Sequence, residues 1–592
     1  MNNSRKYEGR SHVQSPPTDV NQQGDATVKI ESTMQTGALG VASLLRYAIA
    51  NGANAPVTFL REGQRFETSQ RSVAERALRL GAALRQRGIA PGDVVATFCS
   101  TGVEHWEAYL GIPAHGAILH ALNIRMADDD LAMMVRKIGD RALIVERDQV
   151  ARFARLAPLL KDSSLSLVVV SGEGPIEPFD GLPVETVSYE SLLGEVPLPD
   201  AATLENPEET AAAAICHTGG TTGRPKTVVY SHRSIWLQAL NLCLTNSLGL
   251  SRSDVVLLAV PLYHVHGWGL PYAAVMAGSG LVLPGSALRP EVLNGLIEDC
   301  GVTIAAGIPT IWIDLTAHRE RLGAGRFRCL TRLATGGSVV PQQLIDKMMG
   351  LGVGLIQAWG MTETSSMSVI GHVSEADRNL PLGQQRAVGY PLCGLEMRVV
   401  DEEGTVVPND SNTTGEVQIR GACVTASYFG EDSDAAFDGD WLKTGDIGYI
   451  DSLGRMTLTD RLKDAIKSGG EWIPAPVLED ALRTLPQVHD AVVIARPDAR
   501  WQERPFAVIV PEHGAACDFE AMRAALADLV PRWWIPDSWG RMEALPRTSL
   551  GKPDKATLKR MLAAGELNFS GHQTVPQAES FATAIGEKNE HY

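Results

Sequence analysis

The chain alternates between short, uniformly apolar runs and segments whose apolar residues are spaced three and four apart. The apolar runs have the length of buried strands and occupy residues 93–99, 141–146, 166–172, 255–262 and 302–309. Residues 290–300 and 341–350 have the spacing that is typical of amphipathic helices. Apolar strands that are separated by helices predict mainly parallel sheets covered on both faces.

The pattern changes after about residue 395. The segments "GLEMRVVDEEGTVVP" and "GEVQIRG" alternate apolar and polar residues, which predicts antiparallel strands with one solvated face. Beyond "DRLKD" (460–464), "PVLEDALRTL" and "DFEAMRAALADLV" have helical spacing, whereas "DAVVIARPD" and "RPFAVIVPE" are typical of strands. This order predicts a separate C-terminal α+β domain.

These patterns predict an α/β protein. Its large N-terminal domain (36–460) would contain two helix-covered, mainly parallel sheets and a small antiparallel β subdomain, followed by a small α+β domain (461–566). Residues 1–35 are rich in Asn, Gln, Ser and Asp and predict a disordered extension. Residues 567–592 predict a flexible tail.

Composition narrows the class of ligand. The 592 residues include 44% hydrophobic and 21% charged residues, which is ordinary for a globular protein, and their formal net charge is −16. Such a charge argues against general binding to nucleic acid or anionic membranes. We find no signal peptide, no transmembrane segment and no CxxC among the eight cysteines, so we expect a cytoplasmic protein.

Residues 216–234, "CHTGGTTGRPKTVVYSHRS", are the first candidate for chemistry. Glycines in this segment would let the backbone amides form an anion nest, hydroxyls would add donors, and Lys226 would add positive charge; the residues are Thr218, Gly219, Gly220, Thr221, Thr222 and Gly223. The spacing is not that of a Walker A motif. From these residues alone, a phosphate loop and a flexible turn remain equally open.

The segment "TGGTTGRPK" resembles the phosphate loop of the adenylate-forming superfamily. Four further segments match that superfamily, and they occur in the order that it shows. They are "PLYHVHGWG" (261–269), "AWGMTET" (358–364), "WLKTGD" (441–446) with "TDRLKDAIKSGGEW" (459–472), and "LPRTSLGK" (545–552). The resemblance covers roughly residues 37–565 and looks closest to medium-chain fatty acyl-CoA synthetases. It implies a reaction in which a carboxylate attacks ATP to give an acyl-adenylate and pyrophosphate, after which coenzyme A displaces AMP.

The resemblance assigns roles in the first half-reaction. Glu363 would bind Mg²⁺, and Thr362 would donate to the α-phosphate. Lys552 would reach the α-phosphate and the carboxylate and stabilise the charge that develops there. The structural alternatives are a helix N-cap followed by a first-turn acid for Thr362 and Glu363, and an exposed tail lysine for Lys552.

The resemblance also predicts a nucleotide site. The aromatic ring before Gly360, Trp359, would pack on adenine, and Gly336 and Gly337 would let the backbone approach adenine or the acyl group. Asp446 would accept hydrogen bonds from the ribose hydroxyls, and Arg461 would donate to them. Core packing for the ring, a strand-end turn for the glycines, a solvated turn for the acid and a surface ion pair for the arginine are the alternatives.

Substrate choice and the second half-reaction involve other residues. His264 resembles the residue that gates the acyl pocket, and a hydrogen-bonded core histidine is the alternative. Amino-acid-activating domains usually carry an aspartate here, so an α-amino acid substrate is disfavoured. Lys463 aligns with the hinge of a mobile C-terminal domain, or is a surface lysine. After rotation, the pantetheine tunnel would be lined by Ser468, Gly469, Gly470 and Trp472.

Some residues depart from the pattern of the superfamily. Gly219 replaces the commoner Ser or Thr, Thr227 replaces the glycine that usually follows the lysine, and Pro474 and Pro476 follow the tunnel motif. We expect ATP binding to survive these changes.

The leading hypothesis is a cytoplasmic acyl-CoA synthetase for an apolar carboxylic acid that uses ATP, Mg²⁺ and coenzyme A. The alternatives are an enzyme that hands the acyl group to a carrier protein or partner ligase, and a catalytically silent nucleotide-binding paralogue. The identity of the acid, a homodimeric state and the role of the two terminal extensions stay open.

Overall fold

A computed structural model describes residues 32–176, 179–218, 225–374, 387–469, 471–515, 517–547, 552–567 and 569–571. The chain divides into a unit of residues 1–37, of which 32–37 are described and contain no helix or strand, and a unit of residues 38–592. The sheets and the cavity belong to the second unit. The predicted extension and tail lie almost entirely outside the described residues.

The described residues form fourteen α-helices. In chain order they are α1 Val41–Asn51, α2 Gln70–Gln86, α3 Val103–Ala114, α4 Asp128–Ile138, α5 Val150–Leu156, α6 Tyr189–Gly194, α7 His232–Cys243, α8 Leu270–Ala277, α9 Pro290–Asp299, α10 Pro309–Arg321, α11 Gln342–Gly350, α12 Ala475–Arg483, α13 Phe519–Leu526 and α14 Lys555–Ala563.

The strands of the described residues are β1 Pro56–Arg61, β2 Gln64–Ser69, β3 Val94–Phe98, β4 Ile118–Ala121, β5 Ala142–Glu146, β6 Leu167–Ser171, β7 Glu185–Ser188, β8 Ala212–His217, β9 Thr227–Ser231, β10 Val255–Leu258, β11 Gly280–Leu283, β12 Ile304–Gly307, β13 Arg332–Gly336, β14 Gly354–Met361, β15 Ser366–His372, β16 Ala387–Pro391, β17 Leu395–Val400, β18 Gly415–Gly421, β19 Phe437–Asp438, β20 Trp441–Ile450, β21 Met456–Arg461, β22 Ile466–Ser468, β23 Glu471–Ile473, β24 Val488–Asp498, β25 Gln502–Pro511, β26 Ser538–Arg541 and β27 Phe569–Gly571.

Local sequence explains where several helices begin and end. α4 begins with three acids, Asp128–Asp130, and ends with Arg136 and Lys137 before a left-handed Gly139. The acids therefore lie at the positive end of the helix dipole and the bases at its negative end, which is favourable. α7 begins with a capping box, in which the Ser231 hydroxyl accepts from the Ser234 amide. α12 begins at Ala475, so Pro476 is its second residue and not its first, which is the position that proline favours most in helices.

Two sheets of the N-terminal part are mainly parallel. The larger sheet has the order β17-β18-β20-β21-β16-β15-β14-β13-β12-β10-β11-β1-β2, and its run from β14 to β1 is parallel. The strands at its other end, β17-β18-β20-β21-β16, pair in antiparallel fashion, as the alternating pattern after residue 395 predicts. The second sheet, β7-β6-β5-β3-β4-β8-β9, is parallel except for its last pair.

The third sheet, β23-β22-β25-β26-β27 with β24 beside β25, belongs to the C-terminal part. Two hydrophobic clusters cover its faces, and all of their buried members lie at residue 466 or later. The predicted α/β class, with two helix-covered sheets, an antiparallel subdomain and an α+β C-terminal part, is confirmed. The boundaries at 460 and 566 stay a prediction. Within the described residues, no helix combines the length and apolar character needed to cross a bilayer.

Candidate functional site

A cavity of about 2190 Å³ lies where the carboxyl ends of strands from both N-terminal sheets meet. Its wall includes the residues that follow β4, β8 and β13, the end of β14, and part of the β20–β21 pair. Side chains from α14 close another side. The carboxyl ends of parallel strands are the usual place for ligands in open α/β sheets, because neighbouring loops diverge there.

Charges of both signs line the cavity despite the acidic composition of the chain. The basic lining residues are Arg125, Lys137, Lys226, Lys443, Arg461, Lys463, Lys552 and Arg560. The acidic ones are Asp130, Glu363, Glu416, Glu431, Asp446, Asp460 and Asp554. A local group of cations of this kind can hold an anionic ligand in a protein whose overall charge is negative.

The two ends of the candidate phosphate loop are joined by Thr218. Its amide donates to the Lys226 carbonyl over 2.9 Å, and its hydroxyl accepts from the Lys226 amide over 3.0 Å. The Lys226 ammonium lies 4.3 Å from the centre of the Tyr428 ring, and all three residues line the cavity. The predicted loop residues Gly219, Gly220, Thr221, Thr222 and Gly223 lie outside the described residues.

Thr362 and Glu363 lie in a single 3₁₀ turn, Thr362–Thr364, between β14 and β15. Both are buried, and Glu363 is an acid in the first turn of this short helix, so the alternative of a helix N-cap followed by a first-turn acid is met only in its acid. The backbone after the turn is left-handed at two non-glycine residues, Ser365 (φ 54°) and Ser366 (φ 99°). Strained backbone of this kind is common where a turn aims a functional side chain.

Tyrosine hydroxyls hold this turn from two sides. Tyr428 donates to Oε1 of Glu363 over 2.8 Å, and Tyr230 donates to the Thr362 carbonyl over 2.6 Å. Burial and the neighbouring Glu363 raise the pKa of Tyr428, so its phenol stays protonated and donates. The Thr425 amide also donates to the Glu363 carbonyl over 2.7 Å. The carboxylate is therefore fixed in its direction before any ligand arrives.

Glu363 fits a Mg²⁺ ion that arrives with a nucleotide. Within the described residues, no group of three or more His, Cys, Asp or Glu side chains is placed to hold a metal by itself. Mg²⁺ in nucleotide enzymes commonly takes one or two carboxylate oxygens and completes its shell with phosphate oxygens and water. One oriented carboxylate on the wall of the cavity matches that arrangement.

Asp446 joins the predicted adenine and ribose residues. Its Oδ2 accepts from the Trp359 indole over 2.8 Å, and its Oδ1 is 2.7 Å from Nε of Arg461. Asp446 and Arg461 face each other across β20 and β21. Asp446 is only 3% exposed, which excludes a solvated turn, whereas the Arg461 side chain is 47% exposed and keeps its surface ion pair. All three line the cavity.

His264 immediately precedes a left-handed turn. Residues 265–269 have φ values from 44° to 75°, and three of them, Val265, His266 and Trp268, are not glycine. Such a run is costly for L-residues, and it is held here by burial. The turn places His264 and Trp268 on the cavity wall and sends His266 into the core, between the rings of Tyr109 and Tyr230.

Lys552 lies on the same wall as the nucleotide residues. Burial lowers the pKa of Lys552 to about 8, with a further decrease from the nearby Arg461 and Lys463 and an opposing increase from Asp446. Burial and the Lys552 charge lower the pKa of His264 to about 3. Lys552 is therefore no exposed tail lysine, and His264 is neutral. Lys463, whose pKa is also lowered by burial, lines the cavity as well.

The remaining predicted glycines have structural reasons of their own. A Cβ at Gly336 would lie 2.1 Å from the carbonyl oxygen of Ala358, so the adjacent strand alone requires glycine. Gly337, at φ 79°, lines the cavity with Trp268 nearby. At Gly360, a Cβ would lie 1.6 Å from the Ser366 carbonyl oxygen, beside a register shift between β14 and β15.

The predicted tunnel residues do not join the cavity in this arrangement. Ser468 accepts a hydrogen bond from Arg504 over 3.2 Å, and Gly469, at φ 61°, lies under the Trp501 ring. Trp472 packs near the Lys467 ammonium at 5.2 Å. These three residues are absent from the cavity wall, whereas Lys552 is part of it. Gly470 lies outside the described residues.

Sequence reasoning missed several residues of the wall. Tyr428, which binds Glu363, follows no motif and lies 65 residues away. Asp130, Met133 and Lys137 of α4 also line the cavity. The helix that follows β4 could have been anticipated, because ligands gather at the carboxyl ends of parallel strands.

Comparisons with known proteins agree with this geometry. The AMP-binding enzyme family matches residues 47–429, and the AMP-binding enzyme C-terminal domain matches residues 477–552. A long-chain-fatty-acid–CoA ligase of Thermus thermophilus is 37% identical and covers 93% of this chain and 99% of its own. A medium-chain-fatty-acid–CoA ligase of Ectopseudomonas oleovorans is 34% identical, covering 89% and 96%. A 3-methylmercaptopropionyl-CoA ligase of Ruegeria pomeroyi is 35% identical, covering 88% and 96%.

Solved structures share the fold. Anthranilate CoA ligase AuaEII in complex with anthranoyl-AMP superposes with a TM-score of 0.78 at 24% identity, covering 89% of this chain and 98% of its own. ATP-bound MatB from Rhodopseudomonas palustris superposes with a TM-score of 0.74 at 23% identity, covering 89% and 99%. The sequence matches, the fold and the cavity lead to one conclusion: this chain belongs to the AMP-binding enzymes, the adenylate-forming superfamily.

Proposed function

We propose that the protein activates an apolar carboxylic acid with ATP and transfers the acyl group to coenzyme A. In the first step, a carboxylate oxygen attacks the α-phosphorus, which gives an acyl-adenylate and releases pyrophosphate. In the second, the thiol sulfur attacks the acyl carbon, its proton passes to solvent, and AMP leaves. The observation that carries the proposal is that Lys552, Glu363, Asp446 and Lys226 all face one cavity.

The first step needs positive charge at the phosphorus centre. Lys552 would place its ammonium beside the oxygens whose charge grows in the transition state. Lys226 and the loop amides would hold the phosphates that leave, and Thr362 would donate to the α-phosphate. Mg²⁺, when bound, would be held by Glu363 and would offset phosphate charge, so that the anionic carboxylate can approach.

Asp446 and Trp359 would seat the nucleoside. The Asp446 carboxylate keeps lone pairs beyond those that it shares with Trp359 and Arg461, and these could accept from the ribose hydroxyls. Because the indole is fixed by the same carboxylate, its ring position and the ribose site are linked. Arg461, half-exposed and paired with Asp446, would donate to the same ribose hydroxyls.

The acid would enter beside His264. The neighbouring wall is aromatic and aliphatic, with Tyr263, Val265 and Trp268, and burial keeps His264 neutral. No acid stands at 263 or 264 to pair an ammonium. Relatives that carry fatty-acid–CoA ligase names support an apolar acid over an amino acid.

For the second step, we infer that residues 461–566 rotate about Lys463. Lys552 and a thiol cannot occupy the same approach to the acyl carbon, and rotation would exchange Lys552 for Ser468, Gly469 and Trp472. The hydrophobic clusters that the C-terminal part has of its own support motion as one body.

The test is acid-dependent ATP–pyrophosphate exchange together with formation of the CoA thioester, on a panel of carboxylic acids. We expect exchange with an apolar acid, a loss of about 100-fold or more in Lys552→Ala, and thioester formation from supplied acyl-adenylate in the same variant. Exchange without thioester formation would indicate transfer to a carrier protein. Absence of exchange with every acid would favour a silent nucleotide-binding protein.

A further inference from the structure

A series of hydrogen bonds runs from Asp140 to His217 and Thr227, the two residues that flank the phosphate loop. Nδ1 of His120 is 3.0 Å from each carboxylate oxygen of Asp140, and its Nε2 is 2.7 Å from Nε2 of His217. The other ring nitrogen of His217, Nδ1, is 3.3 Å from the Thr227 hydroxyl. Asp140, His120 and Thr227 are buried, and both His217 and Thr227 border the cavity.

The fold places these hydrogen bonds at both ends of the loop. His217 is the last residue of β8, Thr227 is the first of β9, and the two are opposite each other in the antiparallel pair. His120 lies on the parallel neighbour β4. The chain leaves the sheet after His217 and re-enters it at Thr227, and Thr218 is hydrogen-bonded to Lys226 between them.

When Asp140 is ionised and His120 is neutral, donors and acceptors alternate consistently along these hydrogen bonds. An ionised Asp140 only accepts, so Nδ1 of His120 carries the proton and its Nε2 accepts from Nε2 of His217. Nδ1 of His217 then accepts from the Thr227 hydroxyl. Burial, more than any neighbouring charge, holds the pKa of His217 well below its ordinary value, so the neutral ring that this order requires is the stable one.

The Thr227 hydroxyl is the last group in this series of hydrogen bonds. The superfamily commonly has glycine here, and a glycine would leave Nδ1 of His217 without this donor. The Thr227 carbonyl also accepts from the Phe429 amide over 2.9 Å, next to Tyr428, which binds Glu363. The ends of the loop are therefore bonded to strand β4 through His217 and, through Thr227, to the segment between β18 and β19 whose Tyr428 orients Glu363.

We propose that His217 is a positioning residue for ATP: held by His120 and Asp140, it fixes Thr227 and thereby the two ends of the phosphate loop. The proposal rests on the proposed role of this loop in holding the triphosphate. His217 acts through Thr227 and not on the reacting atoms, so its loss weakens ATP binding and leaves the chemical step and the affinity for the acid largely unchanged.

The test is titration of ATP into the full-length protein by calorimetry, with pyrophosphate exchange as the second readout. For His217→Phe we expect the Kd for ATP to rise about fivefold or more, with kcat and the KM for the acid within about twofold of the wild type. Thr227→Val should match this, Thr227→Ser should restore affinity, and the double variant should be no weaker than either single variant.

His105→Phe is the matched control. His105 is buried, bonds to Thr97 and to the Ser100 carbonyl, and does not line the cavity. It should lower the unfolding temperature and leave the Kd for ATP unchanged. The proposal is overturned if His217→Phe keeps its ATP affinity, if His105→Phe weakens binding equally, or if the effects of His217→Phe and Thr227→Val add. The titration needs no acid, so failure of exchange in a protein that binds ATP contradicts only the proposed function.

Discussion

Lys552 is the side chain whose protonation bears most directly on the proposed reaction. Burial, together with Arg461 and Lys463, lowers its pKa from 10.5 to about 8. The ammonium is the form that can stabilise charge at phosphorus, and its population falls as the pH rises through about 8. Because the folded pKa lies below the unfolded one, the unfolded chain binds more protons between these values, and the free energy of unfolding rises with pH there.

This titration predicts an alkaline limb in the adenylation half-reaction. We expect kcat/KM for pyrophosphate exchange to fall above about pH 8 in the wild type, since this parameter reports ionisations of the free enzyme. Lys552→Arg keeps its charge throughout this range and should have no such limb, although its rate will be lower because the guanidinium is larger. An alkaline limb that persists unchanged in Lys552→Arg would assign the titration to another group.

Residues that lie inside a motif come together in the cavity, while the roles that the resemblance assigns to them stay predictions. Glu363, Asp446, Arg461 and Lys552 all reach the cavity as their motifs indicate. Tyr428 was missed because its hydroxyl meets Glu363 only after β14 and the segment before β19 come together. No local pattern records a contact of that kind.

At the scale of elements, the junction of β14 and β15 depends on one glycine. The register of the pair shifts between Trp359 and Gly360, and this shift brings the Ser366 carbonyl against the Cα of Gly360. The same junction leads into the turn that carries Glu363. Its geometry is therefore set by backbone contact and not by side-chain packing.

Gly360→Ala should consequently be severe. A Cβ at 1.6 Å from a carbonyl oxygen forces two strands apart, and we expect a loss of about 3 kcal/mol or more in the free energy of unfolding, measured by denaturant titration. Gly295→Ala is the control, since it lies inside α9 with nothing within 4 Å of its Cβ. It should stabilise the protein by about 0.5–1 kcal/mol. Equal behaviour of the two variants would contradict the assignment.

Periodicity predicted the elements but not all of their ends. The apolar run 255–262 forms a strand only over Val255–Leu258, and its remainder is a buried loop that leads into the left-handed turn at 265–269. Burial makes a loop and a strand look alike in sequence. The turn itself was unpredictable, because Val265 and Trp268 strongly disfavour positive φ and adopt it only under tertiary packing.

At the scale of the whole molecule, Lys552 and the predicted tunnel residues occupy different places. Lys552 lines the cavity, while Gly469 lies away from it, beneath Trp501. If the C-terminal part exchanges them between half-reactions, a change at Gly469 should affect only the second one.

Gly469→Ala tests this separation. The alanine would be strained at φ 61° and its Cβ would lie 2.9 Å from the Trp501 ring. We expect CoA-thioester formation to fall about tenfold or more, with pyrophosphate exchange within about twofold of the wild type. Gly454→Ala, at φ 83° in open space, carries similar backbone strain and should spare both reactions. Loss of exchange in Gly469→Ala would argue against the proposed tunnel.

The pairing of β1 with β11 has a consequence for how the chain is made. Val57 stands opposite Leu281, so the first strand meets its inner neighbour only after about 220 further residues have been synthesised. At ribosomal speeds of roughly 5–20 residues per second, that interval is about 10–45 s. During it, β1 has one edge without its partner strand, and an unpaired strand edge of this kind is a site where co-translational chaperones would act.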